Sequence, residues 1–224
     1  MAAAPTTERR PRPRRPQPWP IRLAHWVNLP ALVILAGSGL QILAAYPAFG
    51  PQGAQYRWYP FTGQVPPEWL RLGGWLAGGR ALHFAFAWLF VANGLLYLAY
   101  LLARGEWRRR LFDPRHDARG ALAWARYYLR LRKERPAQGL YNPLQRFAYT
   151  TALVLAAIEV ASGLAIYKPN QLPWLAAAFG GYDVARVVHF VGLVALALFT
   201  LVHVVQVALH PRTVGDIVTG GRPQ

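Results

Sequence analysis

The chain has 224 residues, of which 54% are hydrophobic and 13% aromatic, and it carries a formal net charge of +16. It contains no cysteine, which excludes disulfide bonds, thiolate-ligated iron–sulfur clusters and covalent attachment of a c-type haem. Its single methionine is Met1, so a bound metal would have to be held by histidine or carboxylate side chains, or by a porphyrin.

The hydrophobic residues are gathered in long blocks that few charges interrupt. Four blocks are long enough to cross a bilayer as helices, namely residues 23–45, 81–103, 144–167 and 184–209. Because the backbone in lipid must satisfy its own hydrogen bonds, helices are the expected spanning structure. We therefore predict an all-α fold, an integral membrane four-helix bundle over residues 21–220. Residues 1–20, rich in arginine and proline, are predicted to be a disordered, basic, cytoplasmic arm.

The basic residues are distributed unevenly about these spans. Six of the 25 precede the first span, twelve lie between the second and third, two follow the fourth, and only five lie on the opposite side. This asymmetry matches the positive-inside rule with the N- and C-termini in the cytoplasm. The charge thus indicates a multi-pass membrane protein that contacts the lipid bilayer, and it argues against a nucleic-acid partner.

The first span carries His25 near its cytoplasmic edge, and the second carries His83 near its external edge. Asn93, in the middle of the second span, is interpreted as an interhelical hydrogen-bonding residue. Between these spans, residues 46–80 form a long connection rich in proline, glycine and aromatic residues. Such a connection suggests a docking surface in addition to an interfacial aromatic belt.

The segment between the second and third spans contains a basic amphipathic stretch, 119–133, typical of a helix on the membrane surface. His116 lies between two aspartates and is predicted to be solvated. Glu159 lies within the third span, where a carboxyl group is a functional candidate. A structural hydrogen bond from Glu159 to a neighbouring helix is the interpretation we favour.

The third span also repeats a pattern of small residues from the first. The sequence S-G-L-Q-I at 38–42 is echoed by S-G-L-A-I at 162–166. Small residues allow helices to pack closely, and they also leave room for a flat macrocycle. The two interpretations are compatible, and the echo hints that both spans pack against a shared object.

The fourth span carries His189 and His203, fourteen residues apart. Fourteen residues make almost four helical turns and a rise of roughly 21 Å, so both imidazoles lie on nearly the same face. A polar ring inside a membrane is costly and needs a partner, and for two stacked histidines we predict a pair of haem irons. His210 lies at the water interface and is not counted as a ligand.

With the N-terminus inside, His25 and His203 share the cytoplasmic level, and His83 and His189 share the external level. Four histidines on three helices therefore make two axial pairs for two b haems per chain. Iron with imidazole on both sides has no open site, so such haems transfer electrons instead of binding oxygen.

Three of these histidines are preceded, one helical turn earlier, by an arginine. The arginines are Arg22, Arg80 and Arg186. Each guanidinium is expected to lie toward the headgroups on the side of its histidine, where haem propionates require cations. Alternatively, these residues are the flanking arginines that membrane spans commonly carry.

These features resemble the di-haem cytochrome b subunits of bacterial formate dehydrogenase, nickel–iron hydrogenase and thiosulfate reductase, the bacterial cytochrome b561-like family. The resemblance covers about residues 20–220 and is most specific in the arrangement of the histidines. It implies that His83 and His189 bind the external haem, and that His25 and His203 bind the cytoplasmic haem. The segment Y-N-P-L-Q at 141–145 matches a family segment at the quinone site. Asn142 is therefore implied to contact the quinone, unless it is a helix cap, and Gln145 is a weaker candidate.

We predict an electron-transfer subunit of the bacterial inner (plasma) membrane, not a catalyst by itself, that connects a quinone pool to a periplasmic catalytic subunit. That partner would be a molybdenum enzyme or a hydrogenase docked over residues 46–80 and 168–183. One alternative is a stand-alone cytochrome b561-type enzyme that exchanges electrons between superoxide and quinone. The other is a haem-free membrane scaffold, which would leave the four histidines unexplained.

Overall fold

A computed structural model of the chain describes residues 17–51, 54–136, 141–209 and 211–220. Within these residues the fold is all-helical, as predicted, and contains no β-strand. The helices are α1 (Trp19–Leu43), α2 (Leu76–Ala103), α3 (Trp107–Arg110), α4 (Pro114–Tyr128), α5 (Pro143–Tyr167), α6 (Pro173–Ala178), α7 (Tyr182–Leu209) and α8 (Arg212–Val218), with a 3-10 turn at Glu68–Leu70. The predicted basic arm falls mostly on residues 1–16, outside the described part, as does His210.

Helices α1, α2, α5 and α7 are long and apolar enough to cross a membrane, which confirms the four predicted spans. The predicted boundaries agree best at the ends of α2, α5 and α7. Helix α1 begins at Trp19 instead of residue 23, with Pro20 in its first turn, where proline is tolerated. Helix α2 begins at Leu76 instead of residue 81. The predicted boundaries were placed at the start of each apolar run. Each helix begins earlier, with a turn of polar and apolar residues that precedes the run.

The four long helices form two antiparallel pairs. Helix α1 packs on α2, which we call the first hairpin, and α5 packs on α7, the second hairpin. In the first hairpin, Gly79 lies so close to α1 that an added Cβ would be 2.8 Å from Cγ of Gln41. The predicted interhelical role of Asn93 is borne out, since its amide donates to the carbonyl of Ala24 at 2.9 Å and to Asn28 at 2.8 Å.

The bundle has two different ends. We call the end where α1 begins and α7 ends the basic face, because α3, α4 and most of the arginines lie there. The opposite end, the loop face, is formed by residues 44–51, 54–75 and 168–181.

At the loop face, the first connection packs onto the second hairpin through aromatic rings. The ring of Phe49, which is 2% exposed, lies 4.9 Å from Tyr59 and 5.1 Å from Phe190 of α7, measured between ring centroids. Burial raises the pKa of the Tyr59 phenol above its ordinary value. Trp58 and Phe61, next to this cluster, are more than half exposed.

At the basic face, α4 is the amphipathic helix, but it begins and ends earlier than the predicted stretch 119–133. Asp113 caps its start by accepting from the backbone N–H of Arg115, and Arg130, with a φ of 60°, follows its end. Its buried aromatic side chain is Trp124, which is 1% exposed, whereas Leu122 is 54% exposed. The outward position of Leu122 fits a helix at the membrane surface.

The predicted solvation of His116 agrees with the structure, because its side chain is 80% exposed. Its Nδ1 lies 2.7 Å from the carboxylate of Asp113. This hydrogen bond, together with that from the N–H of Arg115, holds the pKa of Asp113 below its usual value.

A buried ion pair ties α4 to the start of α5. Arg146 donates to Asp117 at 2.8 Å and to the carbonyl of Leu111 at 2.9 Å, and the two charged side chains are only 17% and 8% exposed. Arg146→Ala would leave the Asp117 carboxylate buried without its cation. We expect the free energy of unfolding to fall by about 3 kcal/mol, measured by thermal unfolding in detergent.

Arg115→Ala is the matched control for this substitution. It removes the same charge from an exposed position of α4 and should change the melting temperature little. Equal melting temperatures for the two variants would contradict the structural role of the ion pair.

Candidate functional site

The structure brings the four predicted histidines together in two pairs. The ring centroids of His25 and His203 are 6.2 Å apart, and those of His83 and His189 are 6.1 Å apart. The first pair lies toward the basic face and the second toward the loop face. In each pair, one ring comes from the first hairpin and the other from α7 of the second.

These separations fit two imidazoles that share one metal ion. A metal–imidazole nitrogen bond is about 2.0 Å and the ring centre lies roughly 1.1 Å from each ring atom, so ligands on opposite sides have centroids about 6 Å apart. No group of three or more histidine, cysteine or carboxylate side chains suited to a metal occurs within the described residues. A porphyrin would supply the four equatorial nitrogens that such a two-histidine site requires.

In the loop-face pair, hydrogen bonds fix which ring nitrogen is protonated. Nδ1 of His83 lies 3.2 Å from the carbonyl oxygen of Leu35 and 3.1 Å from Oγ of Ser38. A carbonyl can only accept, so Nδ1 carries the hydrogen. The hydroxyl of Ser38 gives its own hydrogen to the carbonyl of Ile34 at 2.5 Å. The other nitrogen of His83, Nε2, is then unprotonated and suited to bind a metal.

His189 is oriented in the same way by the second hairpin. Its Nδ1 lies 3.1 Å from Oγ of Ser162, whose hydroxyl donates to the carbonyl of Ile158 at 2.7 Å. Ser162 therefore accepts from Nδ1–H, which again leaves Nε2 for a metal. Ser38 and Ser162 are both fully buried. A serine of each hairpin thus sets the tautomer of one histidine.

A glycine follows each of these serines and leaves room for the imidazole. A Cβ added to Gly39 would lie 3.4 Å from Cε1 of His83, and one added to Gly163 would lie 3.2 Å from Cε1 of His189. The repeated S-G-L motif therefore packs against the histidines. From the sequence, these small residues were expected to allow close helix packing or to leave room for a macrocycle, and their contacts with the histidines were not predicted. One signal could have identified them. The helix that packs on each motif carries a histidine, namely His83 for the first motif and His189 for the second.

The basic-face pair is held mainly by ring contacts. The ring of Phe199 stacks on His203 with an interplanar angle of 10°, and Tyr149 meets the same ring edge-on at 6.3 Å. Trp26 meets His25 edge-on at 5.4 Å. Nδ1 of His25 is buried and has no hydrogen-bond partner within the described residues.

The three arginines predicted to meet propionates have different surroundings. Arg22 donates to the carbonyls of Ile217 and Val218 of α8. Arg186 donates to the carbonyls of two residues in the first connection, at 3.3 and 3.0 Å. Arg80 is exposed and lies over the ring of Phe84 at 5.9 Å. Two of the three thus hold neighbouring backbone in this structure.

A fourth arginine, Arg71, was not singled out from the sequence. Its Nε is buried and has no hydrogen-bond partner within the described residues. The next residue, Leu72, donates its N–H to the carbonyl of Gly37 in α1 at 3.0 Å. Arg71 therefore lies at the loop face, close to the helix that carries Ser38.

Asn142 is the N-cap of α5. Its side-chain oxygen accepts from the N–H of Gln145 at 2.8 Å, and the Gln145 side chain accepts from the N–H of Asn142 at 3.1 Å. This capping box is the local reason that α5 begins here. Asn142 is only 1% exposed, and its neighbour Tyr141 contacts Tyr149, which in turn contacts His203. Asn142 thus lies at the basic face, close to the His25–His203 pair.

Comparison with known proteins identifies the family. The sequence pattern of the prokaryotic cytochrome b561 family matches residues 17–220. The chain belongs to this family. Membership in the cytochrome b561 family implies a b-type haem, and the four apolar helices and paired histidines agree with that cofactor.

Two curated relatives are subunits of redox enzymes. The chain is 38% identical over 203 residues, 91% of this chain and 94% of the relative, to a protein of Azospira oryzae (strain ATCC BAA-33 / DSM 13638 / PS) named "Putative protein-methionine-sulfoxide reductase subunit YedZ1". It is 26% identical over 200 residues, 83% of this chain and 75% of the relative, to the "Probable Ni/Fe-hydrogenase B-type cytochrome subunit" of Cupriavidus necator. This chain is thus a cytochrome b561-type membrane subunit.

Proposed function

We propose that this chain carries electrons across the membrane through two bis-histidine b haems, between a quinone pool and a catalytic redox partner. The observation that carries the proposal is the occurrence of two histidine pairs, each with ring centroids about 6 Å apart, at opposite ends of one bundle. When bound, a b-type haem with imidazole on both sides supplies a one-electron carrier without an open coordination site.

The protein side chains have separate roles in this proposal. His83 and His189 hold the loop-face haem, and His25 and His203 hold the basic-face haem. Ser38 and Ser162 keep the loop-face imidazoles in the tautomer that presents Nε2. Arg80 and Arg71, whose Nε atom is buried without a partner within the described residues, are the propionate partners that the loop-face surroundings favour. Arg22 and Arg186 use some of their N–H donors on backbone carbonyls and would serve propionates with the donors that remain.

The charge distribution supports an orientation with the basic face in the cytoplasm of a bacterial cell and the loop face in the periplasm. Quinone would then react at the basic face, where Asn142 is buried next to Tyr141 in the sequence. The ring of Tyr141 contacts Tyr149, which contacts the His203 ring. The catalytic partner would dock at the loop face, where Trp58 and Phe61 are exposed. Exposed aromatic side chains of this kind are common anchors of protein interfaces.

The names of the two relatives suggest the class of the partner. The relative at 38% identity is named as a protein-methionine-sulfoxide reductase subunit, and the relative at 26% as a hydrogenase subunit. We therefore place a periplasmic methionine-sulfoxide reductase catalytic subunit ahead of a hydrogenase as the partner. In either case the chain is an electron-transfer subunit and not the catalyst.

The first test is a haem count on the full chain purified in detergent. We expect an oxidised-minus-reduced spectrum of b type and a pyridine haemochrome value of two haems per chain. Reduction by a quinol would then support the proposed quinone reaction. A well-folded preparation without haem would overturn the proposal.

A further inference from the structure

The two histidines of the loop-face pair face different hydrogen-bond acceptors. In the first hairpin, the acceptor three residues before Ser38 is the backbone carbonyl of Leu35, 3.2 Å from Nδ1 of His83. In the second hairpin, the residue three before Ser162 is Glu159, and its Oε2 lies 3.3 Å from Nδ1 of His189. The backbone carbonyl of Glu159 also faces Nδ1 of His189, as that of Leu35 faces His83, so the carboxyl group is an additional acceptor found in this half of the site only.

The surroundings of Glu159 are shaped to hold this carboxyl group inside the membrane span. Its side chain is 14% exposed, and its Oε1 is buried without a hydrogen-bond partner within the described residues. Gly192, on α7, lies directly against that oxygen, and an added Cβ there would collide with it. An ionisable group in such a place is costly and is retained only for a reason.

The effect of this contact follows from the chemistry of the ligand. A carboxylate that accepts from Nδ1–H makes an imidazole a stronger electron donor than a neutral acceptor does. When it is ionised, a carboxyl group beside the ligand also favours the more positively charged, oxidised state of a nearby metal. We propose that Glu159 is a positioning residue that acts through His189 and lowers the midpoint potential of the loop-face haem. This inference rests on the proposed function.

Glu159→Gln in the full-length chain tests it, with the potentials of the haems measured by optical redox titration in detergent. Glutamine keeps the shape and an acceptor oxygen but removes the charge. We expect two haems per chain, one midpoint potential raised by about 59 mV, which corresponds to a tenfold change in the one-electron equilibrium, and the other unchanged. Glu159→Asp, which retains the charge on a shorter side chain, should give an intermediate potential.

Glu68→Gln is the matched control, because it removes the same charge from an exposed position at the loop face. It should leave both potentials as in the wild type. Two haems with unchanged potentials in Glu159→Gln would overturn the inference, and so would loss of the loop-face haem, which would indicate a purely structural role. Failure of the proposed function is distinguishable, because the wild-type chain itself would then lack two haems.

Discussion

His83→Ala and His25→Ala are each expected to lower the haem content from two per chain to about one, because each removes one of the two protein ligands of a single iron. The two variants should lose different haems, since His83 pairs with His189 and His25 with His203. The remaining reduced-minus-oxidised spectra and midpoint potentials should therefore differ. The measurement is a pyridine haemochrome count together with a redox titration of each purified variant.

The chain offers a matched histidine control. His116 is 80% exposed at the basic face and pairs only with Asp113 among the contacts described above. His116→Ala should keep two haems and wild-type potentials. If His83→Ala also kept two haems, the paired-ligand arrangement would be wrong, and the histidines would have to be interpreted as polar packing residues.

Asn142→Ser should slow quinol-driven haem reduction by roughly five- to 150-fold while leaving the fold intact. The side-chain oxygen of Asn142 caps α5, so its NH₂ group is the donor that a quinone carbonyl would accept from. Serine is also a good N-cap, but it has no amide to donate. Loss of one buried hydrogen bond costs about 1–3 kcal/mol, which is the source of the expected change in rate.

This substitution separates the two roles considered for Asn142. Asn142→Ala should lose about 1 kcal/mol of stability in addition, because alanine is a poor cap. Reduction by dithionite, which does not use the quinone site, should be unchanged in both variants. A wild-type rate with quinol in Asn142→Ser would show that the residue serves only as the helix cap.

The spans and the histidine pairs could be predicted from the sequence because both depend on simple regularities. An apolar run of about twenty residues must be helical in lipid, and the helical rise then fixes the depth of each side chain. The fourteen-residue spacing of His189 and His203 therefore predicted two depths in the membrane. His25 and His83 were then each paired with the histidine of α7 that lies at the same depth. The observed ring separations agree with that assignment.

The hydrogen-bond partners of the histidines could not be predicted in this way. Which residue accepts from Nδ1 depends on the rotation of each helix about its axis and on side-chain direction, and neither follows from the apolar pattern. Ser38 and Ser162 were therefore recognised only as small residues. The partners of Arg22 and Arg186 were missed for a related reason, since the carbonyls that they bind come from segments distant in the sequence.

The division of the bundle into two hairpins has a consequence for how the protein is assembled in the cell. Each histidine pair takes one histidine from α1 or α2 and the other from α7, so neither hairpin contains both members of a pair. A cofactor held between such half-sites binds only when both hairpins are in place, and its binding free energy then adds to the stability of the whole. Supply of haem during membrane insertion would thereby regulate how much of this subunit escapes proteolysis.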